Sequence, residues 1–166
     1  MFKSTNLKLI EKLILNNKLK EAFVLLKEQS KDIPEINILY SKLYLLQNKS
    51  LMALRYAKKA LNQGSKSDEI YFILGNSYFN GGKYFDAITN FKKVKFKNVN
   101  INFLLFISLL LIGNIPSARQ YLNAAIKLDK NKVKKLMPYF YRLFIVPNPQ
   151  LTNVEKEHIK FKLHMQ

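Results

Sequence analysis

Tyr71-Phe72-Ile73-Leu74-Gly75-Asn76-Ser77-Tyr78, followed after Gly81-Gly82 by Ala87-Ile88-Thr89-Asn90-Phe91, is the stretch on which the reading of this chain turns. Ala87 sits early in an apolar-periodic helix pattern, and so do Ala22, Ala53 and Ala118, at spacings of 31, 34 and 31 residues. Nine residues before each alanine stands a large apolar residue: Leu13, Tyr44, Tyr78 or Leu109. Turn-prone pairs fall between them in register, as Asn16-Asn17, Gln47-Asn48, Gly81-Gly82 and Gly113-Asn114. Self-similarity at a period in the thirties is the signature of a repeat architecture, in which each unit is one supersecondary element that buries its apolar face against the next.

The third unit reads Tyr71-x2-Leu74-Gly75-x2-Tyr78, then Ala87-x3-Phe91-x2-Val94. This resembles the tetratricopeptide repeat pattern, with Tyr in the Trp place. The second unit gives Tyr40-Ser41-x2-Tyr44 and Ala53-x3-Ala57-x2-Ala60; the fourth gives Ala118-x3-Leu122-x2-Ala125 and the first Ala22-x3-Leu26. The resemblance spans residues 3–132. It implies an all-α fold, a right-handed α-solenoid of tandem antiparallel helix pairs, closed by C-terminal capping helices. The units expected are 1–33, 34–67, 68–98 and 99–132, with 133–166 as the capping extension. The packing residues of the repeat are Ala22, Tyr44, Ala53, Leu74, Gly75, Tyr78, Ala87, Phe91 and Ala118. The first helix of a unit needs a small residue where the second crosses it, as Gly75 and Ser41 provide, and the second needs alanine at its close approach. Two units depart from the pattern, with Ile10 and Phe106 at the small place.

Helices are expected over 4–16, 18–29, 34–46, 50–63, 68–80, 83–96, 99–112 and 115–128. Pro34 and Pro116 fall in first turns, where the missing N–H does no harm. A ninth helix is expected over 131–145, kinked or restarted at Pro138. Val146-Pro147-Asn148-Pro149 breaks the chain, and Thr152-x-x-Glu155 has capping-box spacing, opening a last helix to about His164.

The resemblance also implies a concave face lined by the second, fifth, ninth and twelfth places of each first helix. By register these are Leu7, Glu11 and Ile14; Glu35, Ile38, Lys42 and Leu45; Glu69, Phe72, Asn76 and Phe79; and Phe103, Ile107 and Leu110. The fifth and twelfth places are apolar in all four units. A continuous apolar trough suits an amphipathic helix or strand of a partner protein, with Phe72, Phe79 and Phe103 as anchors. Some members of the family clamp acidic C-termini with Lys, Arg and Asn; here the place of the clamp lysine holds Ile38, Phe72 and Phe103, and only Asn76 matches. The aromatic segment Met137–Ile145 offers three alternatives: it fills the groove itself, it caps the last repeat, or it joins two copies as a homodimer.

The net charge is +17, but Lys outnumbers Arg 25 to 3 and Asn occurs 17 times. That bias looks compositional, since nucleic-acid surfaces lean on the bidentate fork of Arg. Clusters at Lys58-Lys59, Lys92-Lys93-x-Lys95-x-Lys97 and Lys127 to Lys135 suit the negative ends of second helices and solvent. Binding RNA or an anionic membrane surface through these ends is the alternative function. No cysteine is present, which excludes disulfides and thiolate metal sites. His158 and His164 lie six apart, off the i, i+4 spacing of a helical ligand pair, and no phosphate loop or nucleophile motif is present. We therefore expect a binding protein rather than an enzyme, without catalytic residues, cofactor or metal. The N-terminal apolar run is broken by Lys8, Glu11 and Lys12, and Ile101 to Ile112 is short of the roughly 20 residues that cross a bilayer. A cytoplasmic protein is expected, with peripheral membrane association compatible with it.

Overall fold

The computed structural model describes residues 2–162, with side chains over 6–161, and is all-helical there. The helices are α1 (Phe2–Leu15), α2 (Leu19–Lys27), α3 (Pro34–Leu46), α4 (Ser50–Asn62), α5 (Asp68–Asn80), α6 (Tyr84–Lys93), α7 (Val99–Leu111), α8 (Ile115–Leu128), α9 (Lys130–Phe140) and α10 (Asn153–Lys162). A π-helical turn, Tyr141–Ile145, continues α9. Among the described residues, no helix is long and apolar enough to cross a membrane. The chain divides into two compact units, Met1–Phe96 and Lys97–Gln166.

In the first unit α1 packs on α2, α3 on α4 and α5 on α6, while α3 also touches α1 and α5. In the second, α7 packs on α8, and α9 lies against both. One turn repeats inside each of these four pairs. Asn17, Asn48, Gly82 and Gly113 take left-handed φ values of 57°, 57°, 72° and 77°. The N–H that follows each donates back to the carbonyl of Leu13, Tyr44, Tyr78 or Leu109, at 2.8 to 2.9 Å. This is the 6→1 bond of a Schellman helix end, which needs one left-handed residue and so favours glycine or asparagine. The carbonyls that accept are those of the large apolar residues nine before each alanine, so the register seen in the sequence is the register of a backbone motif.

The alanines occupy the close approach. Ala22, Ala53 and Ala87 are wholly buried and Ala118 is 1% exposed. Gly75 answers to the same constraint from the other helix, because a Cβ there would lie 2.5 Å from the ring of the fully buried Phe91. Ser41, also fully buried, turns its hydroxyl to the carbonyl of Ile38 at 2.6 Å and so presents little bulk and no unpaired donor. At the corresponding places Ile10 and Phe106 are buried as well, so in these pairs a large side chain is accommodated.

Among the described residues, two apolar clusters lie in the first unit. One gathers Ile10, Ile14, Ala22, Leu26, Ile36, Leu39, Tyr40 and Leu43; the other Ala57, Ala60, Ile70, Ile73 and Leu74. Tyr40, Tyr44 and Tyr56 stack at centroid distances of 4.7 to 6.3 Å, with Phe23 edge-on. Burial, then the neighbouring phenols Tyr56 and Tyr44, push the Tyr40 hydroxyl above its ordinary pKa. Each large side chain fully buried in these cores contributes about 1.5–3 kcal/mol.

Some expected boundaries move. The helix expected over 83–96 stops at Lys93, because Val94 is extended and the N–H groups of Lys95 and Phe96 both donate to the Asp68 carboxylate at 3.0 Å. The helix expected over 18–29 spans Leu19–Lys27. The ninth helix does not restart at Pro138: the proline sits inside α9, and the chain widens three residues later, with the N–H of Val146 reaching the carbonyl of Tyr141. A proline cannot donate to the carbonyl four residues back, and a locally wider helix is one way to absorb that loss. The capping box forms as spelled: Thr152 N–H and Oγ1 both donate to Glu155 Oε2 at 2.8 Å, and Glu155 N–H donates to Thr152 Oγ1 at 3.2 Å. These bonds hold the Glu155 carboxyl below its ordinary value. The expected end of this helix, near His164, lies outside the described residues.

Candidate partner-binding face

Three helices of the first unit, α1, α3 and α5, bring most of the expected groove positions together. A cleft of about 460 Å³ is lined by Ile14, Leu15, Leu45, Leu46, Phe72 and Ile73, with Glu11, Asn17, Lys42 and Glu69. A second, of about 210 Å³, is lined by Leu7, Lys8, Glu35, Ile38 and Leu39, and shares Glu11, Lys42 and Glu69 with the first. Leu7, Ile14, Ile38, Lys42, Leu45 and Phe72 thus line one cleft or the other.

Between the clefts lies a bridge of three charges, one from each helix. Lys42 Nζ stands 2.9 Å from Glu11 Oε1 and 2.5 Å from Glu69 Oε1. The lysine side chain is only 18% exposed, whereas the glutamates are 50% and 43% exposed. Burial works against the Lys42 charge, but hydrogen bonds and attraction from Glu69 and Glu11 outweigh it, and its pKa is raised above the ordinary 10.5. Lys42 is therefore a fixed ammonium and no nucleophile at neutral pH. The two carboxylates keep free lone pairs toward solvent, since one ammonium satisfies neither fully.

The other expected groove residues are placed differently. Asn76 folds its amide back onto the carbonyl of Phe72 at 3.0 Å, within its own helix. Phe79 meets Tyr84 edge-on at 5.8 Å. Neither lines the two clefts. In the second unit Phe103 and Ile107 are 5% and 4% exposed, and Leu110 is half-buried. Phe103 and Ile107 are thus core residues and not the lining of an open trough. Phe103 lies 5.5 Å from Phe106, whose ring lies 5.5 Å from Phe140 on α9. The aromatic segment 137–145 is only partly internal to this unit: Phe140 and Tyr141 are buried, and the Tyr141 hydroxyl donates to the carbonyl of Lys156 at 3.1 Å. Tyr139 and Leu143 remain exposed.

Sequence reasoning missed the rim leucines, Leu15 at 79% and Leu46 at 54% exposure, and missed the bridge. The signal for the bridge was available, because Glu11, Lys42 and Glu69 occupy places expected to face the groove and alternate in sign. Several lysines outside the face have local work: Lys27, Lys31, Lys58 and Lys93 lie over the rings of Phe23, Tyr40, Tyr78 and Tyr71 at 4.9 to 5.6 Å. No protein-family model matches the chain, and no curated protein matches it.

Proposed function

We propose that this chain is a protein–protein interaction module, a tetratricopeptide-like solenoid of helix pairs, and that a partner segment docks on the α1–α3–α5 face. The observation that carries this is the pair of adjoining clefts, lined by apolar residues at the groove places of consecutive first helices and rimmed by Leu15 and Leu46. Exposed leucines at the lip of an apolar cleft are a surface that gains from being covered. The repeated Schellman turn and the packing of α3 on both α1 and α5 support the repeat architecture.

The reading is tested by placing a photo-crosslinking amino acid at Leu46, on the lip of the cleft, and separately at Leu51, which is 82% exposed and outside the clefts. Irradiation in native lysate is expected to give a discrete protein adduct from position 46 and none from position 51. Equal labelling from both positions removes the reading.

A further inference from the structure

We infer that the occupant of this face is a cationic amphipathic helix, with apolar side chains seven residues apart seated in the two clefts and a Lys or Arg between them meeting the surplus carboxylate of the Glu11–Lys42–Glu69 bridge. The inference rests on the docking reading above and names the chemistry of the partner.

The charge argument comes first. Lysine and arginine outnumber Asp and Glu 28 to 11 over the chain. In the two clefts the balance turns slightly acidic, with Glu11, Glu35 and Glu69 against Lys8 and Lys42. At the bridge the excess is local, two carboxylates to one ammonium, and the carboxylates are the solvent-facing members. An arriving cation would find acceptors already oriented and held by Lys42. An arriving carboxylate would meet Glu11 and Glu69 before it reached the lysine beneath them.

The spacing then selects a helix. Ile38 lines the smaller cleft and Leu45 the larger, with Lys42 between them on the same helix. Seven residues of α-helix advance about 10.5 Å. A partner helix lying along α3 puts its own positions i and i+7 at that separation on one face, with i+3 or i+4 between them, opposite the bridge. A strand covers the same distance in about three residues, and residues three apart in a strand point to opposite faces. An extended peptide therefore matches this spacing less well than a helix does.

The test uses designed peptides rather than a natural partner. One 18-residue helix-forming probe carries Leu at i and i+7 with Lys at i+3 and i+4. A second has the same composition with the lysines moved to the opposite face, and a third replaces Lys by Glu. Binding is read by fluorescence anisotropy at about 0.15 M salt, where distant charges are largely screened. The first probe is expected to bind about tenfold more tightly than either of the others. Glu11→Gln with Glu69→Gln should remove that preference, and Lys42→Met should increase it by freeing both carboxylates. Circular dichroism melts confirm that the variants fold, the glutamates being half-exposed. Equal binding of the two Lys probes, preference for the Glu probe, or indifference to the glutamine pair overturns the inference. A discrete adduct at position 46 combined with any of these would leave the docking reading standing and this one gone.

Discussion

The helices α5 and α7 hold the same place in consecutive pairs and have the same length, yet one lines an open cleft and the other is mostly core. Five of thirteen residues are buried in α5, and nine of thirteen in α7. In α5 the crossing point is Gly75, the second helix comes close through Phe91, and Phe72 is left half-buried at a cleft. In α7 the equivalent of Gly75 is Phe106, and the groove places Phe103 and Ile107 are core. The Lys42 place of α3 becomes Ile107 in α7, so the charge that anchors the first unit's face has no counterpart there. The repeat register decides which side chains lie on which side of a helix. Local composition decides whether that side is closed as core or left open.

The comparison is broken most forcefully at the crossing point. Phe106→Ala should destabilise the fold by about 3–5 kcal/mol, because it empties a buried ring site that Phe103 and Phe140 both line. Gly75→Ala should cost about 1–3 kcal/mol for the opposite reason, since the new methyl meets Phe91 at a distance that real Cβ atoms do not show. One place therefore cannot lose volume and its repeat partner cannot gain it. Urea melts followed by circular dichroism check both. A cost under about 0.5 kcal/mol for either variant would mean that the two crossings are more pliable than their packing implies.

Much of this is legible in the sequence, for a local reason. The aligned alanines, the residue nine before each and the turn pairs between them encode contacts within about ten residues, and the Schellman bonds from Lys18, Lys49, Lys83 and Asn114 run within that span. What escaped is non-local. The end of α6 is set by Asp68, twenty-seven residues earlier in the chain from Lys95, and nothing near Val94 announces it. That Phe103 and Ile107 are buried depends on what covers α7, which register alone does not supply. The bridge lay between these cases: its three residues were on the right face, but their pairing requires α1, α3 and α5 to meet side by side.

Lys42 gives the intermediate test. Lys42→Met leaves Glu11 and Glu69 facing one another without their cation and should cost about 1 kcal/mol at neutral pH, the scale of a partly exposed ion pair. The folded state raises the lysine pKa, so its contribution is fully present below the unfolded value of 10.5 and is lost as pH rises through the folded value. From neutral pH the stability difference between wild type and variant should therefore be level up to about pH 10 and shrink above it. Urea midpoints across that range check the sign; a difference that grows with alkali would contradict the assigned pairing.

The smallest effect tests whether the turns are equivalent even where the faces are not. Asn48 and Gly113 hold the same left-handed place, at φ 57° and 77°, in a well-matched pair and a loosely matched one. Asparagine tolerates that conformation at some cost, whereas glycine adopts it freely but loses more backbone freedom on folding. Asn48→Gly should therefore stabilise the fold by only about 0.5 kcal/mol, while Gly113→Ala should destabilise it by about 1 kcal/mol. A shift in urea midpoint without a change in slope would mean that both act on stability and leave the surface exposed on unfolding unchanged. If Gly113→Ala were neutral, the turn of the second unit would have another conformation open to it, and the repeat would be held there by the buried face of α7 rather than by its backbone.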